Sequence, residues 1–178
     1  MDLTKALEKE HSKAQMTKIV DYVGHNKTRF KALVEVYLAG PYRITQRAAW
    51  PLSVIAEHHP NLILPHLKQL LDFLKKPGIH DAVKRNTMRL LQFVELPKRY
   101  HGKVAALAFG YLQSKSETVA VKVFSMTVLL ALVQSEPELK EELKIIIEDQ
   151  MPYAKPAFLS RGAKTLKALA KMDRRSAA

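Results

Sequence analysis

Moved against itself by about 38 residues, the chain brings apolar residues onto apolar residues, a period in the range of two-helix repeats. Arg47, Arg85, Val123 and Arg161 share one column, and Leu52, Leu90, Val128 and Leu166 share another. Ile55, Phe93, Ala131 and Leu169 form a third. In the preceding helix of each unit, Leu33, Leu71, Phe109 and Ile147 align. Identity within the columns is low, so what repeats is the pattern of burial. Two helices around a tight turn each hide one face only, and a chain built from them must stack one pair on the next.

The unit is clearest from Leu62 to Leu96. Leu64, Leu67, Leu70, Leu71 and Leu74 recur at three- and four-residue intervals and fall on one helical face, with Lys68, Asp72 and Lys75 between them on the wet side. Pro65 suits a first turn, where a missing N–H costs nothing. Lys76-Pro77-Gly78 stops the helix, and Gly78 tolerates a left-handed turn. Asp81 is then placed to cap a second helix whose apolar residues are Val83, Leu90, Leu91 and Val94.

These residues, Leu64-Pro65 through Asp81-Ala82-Val83-Lys84, resemble a HEAT repeat. Val121-Lys122 echoes its second half, and Thr45-Gln46-Arg47-Ala48-Ala49 echoes it loosely. The resemblance runs from Asn26 to Lys171. It implies an all-α, right-handed α-α superhelix (a solenoid) of about four HEAT-like hairpins plus an N-terminal capping helix, roughly nine helices in all. The expected layout is one domain over 1–178: a cap at 1–25, repeats at 26–60, 61–96, 97–135 and 136–172, and a frayed tail at 173–178. Residues 3–23 read as the single capping helix, and Pro51 stands inside a helical pattern where it can kink the chain.

Such folds host many unrelated jobs, so function has to be argued from residues. There are no cysteines, which excludes disulfides and thiolate metal sites. The first residues, MDLTKALEKEHSKAQ, are charged throughout, and no apolar run approaches the ~18 residues of a membrane span, so a soluble, cytoplasmic protein is expected. Phosphate-loop, dinucleotide-binding and nucleophile-elbow motifs are absent. His58, His59 and His66 do not have the spacing of a metal pair on one helical face, and histidines 25, 80 and 101 fall at helix boundaries, where capping and solvent contact suit them. No catalytic residue, cofactor or metal is assigned. The sequence points to binding rather than catalysis, although residues distant in sequence can still converge on a site.

Charge is the functional lead. A net charge of +12 favours polyanions: nucleic acid, an anionic surface or an acidic protein. The acids gather in Glu136–Asp149, whereas the following helix carries Lys155, Arg161, Lys164, Lys167 and Lys171. HEAT resemblance implies that the second helix of each pair lines a concave face. There Arg47, Arg85 and Arg161 would form a ladder, with Arg89 one turn beyond Arg85 and Lys164 nearby. Val123 interrupts the ladder, and Lys98, Arg99, Lys103 and Lys115 lie on a first helix instead. Solvation of exposed helix faces accounts for much of such charge in any soluble protein.

Trp50, the single tryptophan, shares a column with Met88, Met126 and Lys164, at the edge between core and concave face. Packing suits it better than stacking on a ligand. The chain is also similar in repeat size and basic character to HEAT-like DNA glycosylases that remove alkylated bases. Their pocket needs tryptophans and an aspartate one helical turn away; here that position is Val54, and no second tryptophan exists. The catalytic pattern therefore does not carry over. Three readings remain open: a non-enzymatic binding scaffold of unidentified partner, with Arg47, Trp50, Arg85, Arg89, Arg161 and Lys164 as contact residues; a nucleic-acid-binding relative of those glycosylases; and a protein–protein adaptor. An enzyme of unrecognised type ranks behind them.

Overall fold

A computed structural model describes residues 1–176, and among these there are ten α-helices and no strand. The chain divides into two compact units, Met1–Leu96 and one that opens at Pro97.

The first unit begins with α1 (Leu3–Lys9) and α2 (Lys13–Val23), where the sequence suggested one capping helix. The break has a local cause. Glu10 is extended, and the Ser12 hydroxyl accepts a hydrogen bond from the Gln15 N–H, starting a new helix in the Ser-x-x-Gln pattern of a capping box. Buried Gln15 then reaches back, its Nε2 donating to the Ala6 carbonyl at 2.6 Å. Gly24 ends α2 at φ 50°, a conformation that favours glycine.

Two hairpins follow: α3 (Lys27–Ala39) with α4 (Tyr42–His58), and α5 (Leu67–Phe73) with α6 (Asp81–Leu91). Helix α4 packs against α2, α3 and α6 and is the centre of the unit. It continues through Pro51, although that residue offers no N–H to the carbonyl one turn back. Helix α5 is short because Pro60 and Pro65 lead into it through two 3-10 turns. The expected left-handed glycine is present at Gly78, φ 71°. The expected cap is not: Nδ1 of His80, rather than Asp81, accepts from the Ala82 N–H at 2.9 Å. Asp81 instead starts the helix, where a carboxylate favours the amide-rich end.

The second unit holds α7 (His101–Gln113), α8 (Val119–Val133), α9 (Leu139–Gln150) and α10 (Pro156–Ser176). Here α8 is central and packs on all three others. It is apolar nearly all round, with Lys122 its single charge, as a helix enclosed by neighbours requires. His101 at the start of α7 is tied to Glu136, before α9, by a 2.7 Å contact from Nδ1 to Oε1. That hydrogen bond holds the Glu136 carboxyl below its ordinary value. Helix α10 runs through the beginning of the stretch expected to fray, and Asp173 pairs there with Lys140; Ala177 and Ala178 lie outside the described residues.

Burial follows the repeat columns unevenly. Leu33, Leu71, Phe109 and Ile147 are all buried. Leu52, Leu90 and Val128 are buried and Leu166 half-buried. The third column divides: Ile55 and Leu169 are buried, Phe93 lies beyond the end of α6, and Ala131 is exposed. The period thus encodes the inner seam of each hairpin more faithfully than its end.

Candidate functional site

In the first unit the residues expected to contact a partner lie on α4 and α6, and their side chains have different destinations. The Arg47 guanidinium turns toward α1, where Nη1 donates to the carbonyls of Leu7 at 2.7 Å and Glu8 at 2.9 Å. Those carbonyls belong to the last turn of α1, which lacks intrahelical donors and carries negative partial charge. Arg47 is therefore a capping group supplied from another helix. Trp50, one turn later, is half-buried beside Leu7, Gln15, Ile19 and Pro51, with its ring edge-to-face against His11 at 5.8 Å. It helps seat the α1–α2 corner on α4.

Arg89 is also engaged within the fold. Its Nη2 meets Glu57 Oε2 at 2.5 Å and its Nη1 donates to Ser53 Oγ at 3.1 Å. Ser53 is fully buried, and its hydroxyl lies 2.9 Å from the Trp50 carbonyl and 3.3 Å from Asn86 Oδ1. Asn86 closes the network by donating from Nδ2 to the Ala82 carbonyl at 2.8 Å. A second buried link joins Tyr37 and Thr87 through their hydroxyls at 2.8 Å. These bonds satisfy polar groups that would otherwise be costly in a core. Arg85 alone of the four is exposed.

In the second unit Arg161 is half-buried and Lys164 exposed, both on α10. That helix is two-faced. Phe158, Thr165 and Leu169 are buried, whereas Lys164, Lys167 and Lys171 are exposed at spacings i, i+3 and i+7. The exposed stripe lies opposite the buried one by helical geometry.

Sequence reasoning noted Lys115 and Lys155 only as charges and did not single out Lys122. All three line a cavity of about 750 Å³ in the second unit. The available signal was Lys122 itself, a lone charge in an otherwise apolar helix. Among the described residues no group of three or more His, Asp or Glu side chains could hold a metal ion, and no helix is long and apolar enough to cross a membrane. His66, one of the clustered histidines, lies 5.7 Å from the Phe30 ring, and burial, with Lys31 nearby, pushes its pKa down.

A family model for a HEAT repeat domain matches residues 3–169. No curated protein and no solved structure matches the chain.

Proposed function

Starting from a chain that belongs to the HEAT repeat family, we propose that it is a non-enzymatic binding scaffold for a polyanionic partner, with nucleic acid the first candidate. The observation that carries this reading is the exposed stripe of Lys164, Lys167 and Lys171 on α10. Three ammonium groups on one face of a helix, in a chain of net charge +12, supply the cationic footprint that phosphates recognise. Exposed Arg85 adds to that charge from the first unit. Arg47 and Arg89 are engaged in holding helices together and contribute less to a partner than their column suggested.

The test is binding to labelled single- and double-stranded DNA and RNA across a salt series. The comparison protein carries Lys164→Glu, Lys167→Glu and Lys171→Glu. Arg47 is left intact, because replacing it would disturb α1. The expected result is affinity that falls steeply with salt, with the slope reduced by about 2–3 in the triple variant as roughly one counterion is released per lysine. Binding that is absent, or equal in the two proteins, sinks the polyanion reading and directs attention to an adaptor role, with a protein partner that does not depend on this stripe.

A further inference from the structure

The second unit carries an open pocket at its surface. It opens between the α7–α8 turn and the segment joining α9 to α10, and its volume of about 750 Å³ suits a small molecule. Three cations line it, Lys115, Lys122 and Lys155, against the one carboxylate of Glu117. Phe158, 2% exposed, lies buried behind the lining, and Tyr153, 93% exposed, supplies an aromatic ring that stands in water.

Lys122 is the informative residue. Burial lowers its pKa, with Glu117 opposing the shift. Its Nζ donates one hydrogen bond, at 2.7 Å, to Oε1 of Gln150. Gln150 is itself oriented, since its Nε2 donates to the Leu112 carbonyl at 3.0 Å. An ammonium has three donors, so this arrangement fixes the group while leaving further capacity for an anion. Thr118, exposed at the start of α8, also lines the cavity and makes no side-chain cap to its own helix.

We propose that this cavity binds a small organic phosphate, with the phosphate against Lys122 and Lys155 and an apolar or aromatic group against the exposed ring of Tyr153. The charge matches. Three lysines and one glutamate leave an excess of two positive charges, and a phosphomonoester carries about −1.5 to −2 at neutral pH. Lysine serves such groups as a point charge. The site is separate from the lysine stripe of α10, so either proposal can fail without the other.

The experiment is an amide NMR titration of the full chain with phenyl phosphate, with inorganic phosphate and phenol as separate arms. Saturable shifts confined to residues 114–122 and 150–158 are expected, with phenyl phosphate at least about tenfold tighter than either arm, because both halves of the ligand contribute. Lys122→Met should weaken it about tenfold or more, and Lys155→Met, on the exposed rim, should weaken it severalfold without touching the core. Lys144→Met, which removes the same charge from exposed α9, should leave affinity within about twofold. The absence of saturable shifts overturns the proposal. So does equal loss in Lys144→Met and Lys155→Met, which would mark the effect as general charge attraction.

Discussion

Helices α4 and α8 hold the same position in their respective units, yet their surroundings differ in kind. Around α4 the seams are stitched by side chains that bond across helices: Arg47 to α1, Ser53 to Asn86 and Arg89, and, beside it, Tyr37 to Thr87. Around α8 the hydroxyls turn back on their own helix, and the cross-helix bonds are those of Lys122 to Gln150 and of Gln150 to the Leu112 carbonyl. Ser125 donates to the Val121 carbonyl at 2.9 Å and Thr127 to Val123 at 3.2 Å, neither of them linking two helices. Thr165 of α10 is buried with its hydroxyl unsatisfied among the described residues. One unit thus specifies its packing by polar pairing and occupies two of its arginines in doing so. The other keeps its hydroxyls on their own helices and makes its cross-helix polar bonds at part-buried and exposed positions, with cations on the surface of α10 and around a cavity. An arginine column in a repeat is therefore not yet a binding face.

Four substitutions probe that difference, from the largest expected effect to the smallest. Asn86→Ala removes a buried amide together with its bonds to the Ala82 carbonyl and Ser53, and should cost roughly 2 kcal/mol in urea unfolding. Little change there would mean that the polar seam is incidental. Arg47→Ala should cost about 1 kcal/mol, since a part-buried group capping two carbonyls is lost. Its signature is local: amides of α1 should exchange faster with solvent, while those of α6 keep their protection.

Thr165→Val has the opposite expected sign. Removing an unsatisfied buried hydroxyl at nearly constant volume should stabilise the protein by about 0.5 kcal/mol, and a loss of stability would reveal a polar role in the apolar seam. Glu136→Gln should have the smallest effect of the four, felt at neutral pH and fading as the pH falls. The Glu136 carboxyl is depressed in the folded protein by the His101 hydrogen bond. Its contribution is therefore present above the ordinary glutamate pKa and disappears as pH falls through the lowered one. The variant should show a shallower decline of stability on acidification; an unchanged acid limb would assign no linkage to this pair.

The all-helical fold was legible because burial follows spacing. Leu33, Leu71, Phe109 and Ile147 are aligned by the period and are buried in the structure. The break at Glu10 was legible in principle, through Ser12 and Gln15, but charged residues on both sides gave the stretch the look of one helix. The fates of Arg47 and Arg89 were not. Spacing fixes where a side chain leaves the backbone, whereas a long guanidinium selects its acceptor by what three-dimensional packing brings near. For Arg47 that acceptor is some forty positions away, with a separation of 40 to Leu7. Lys122, Gln150 and Lys155 likewise converge on one cavity from different elements, and no local pattern records it.

The capping of α1 by Arg47 also sets an order of events. A helix of 7 residues is too short to persist alone, and its final carbonyls acquire their donor only from a segment made much later. On the ribosome, α1 leaves the exit tunnel as an unsettled strand of chain and waits for α4 to be synthesised and folded. Although made before α4, α1 is thus secured only after it, and any delay in forming α4 lengthens the interval in which Leu3 and Leu7 remain open to other surfaces.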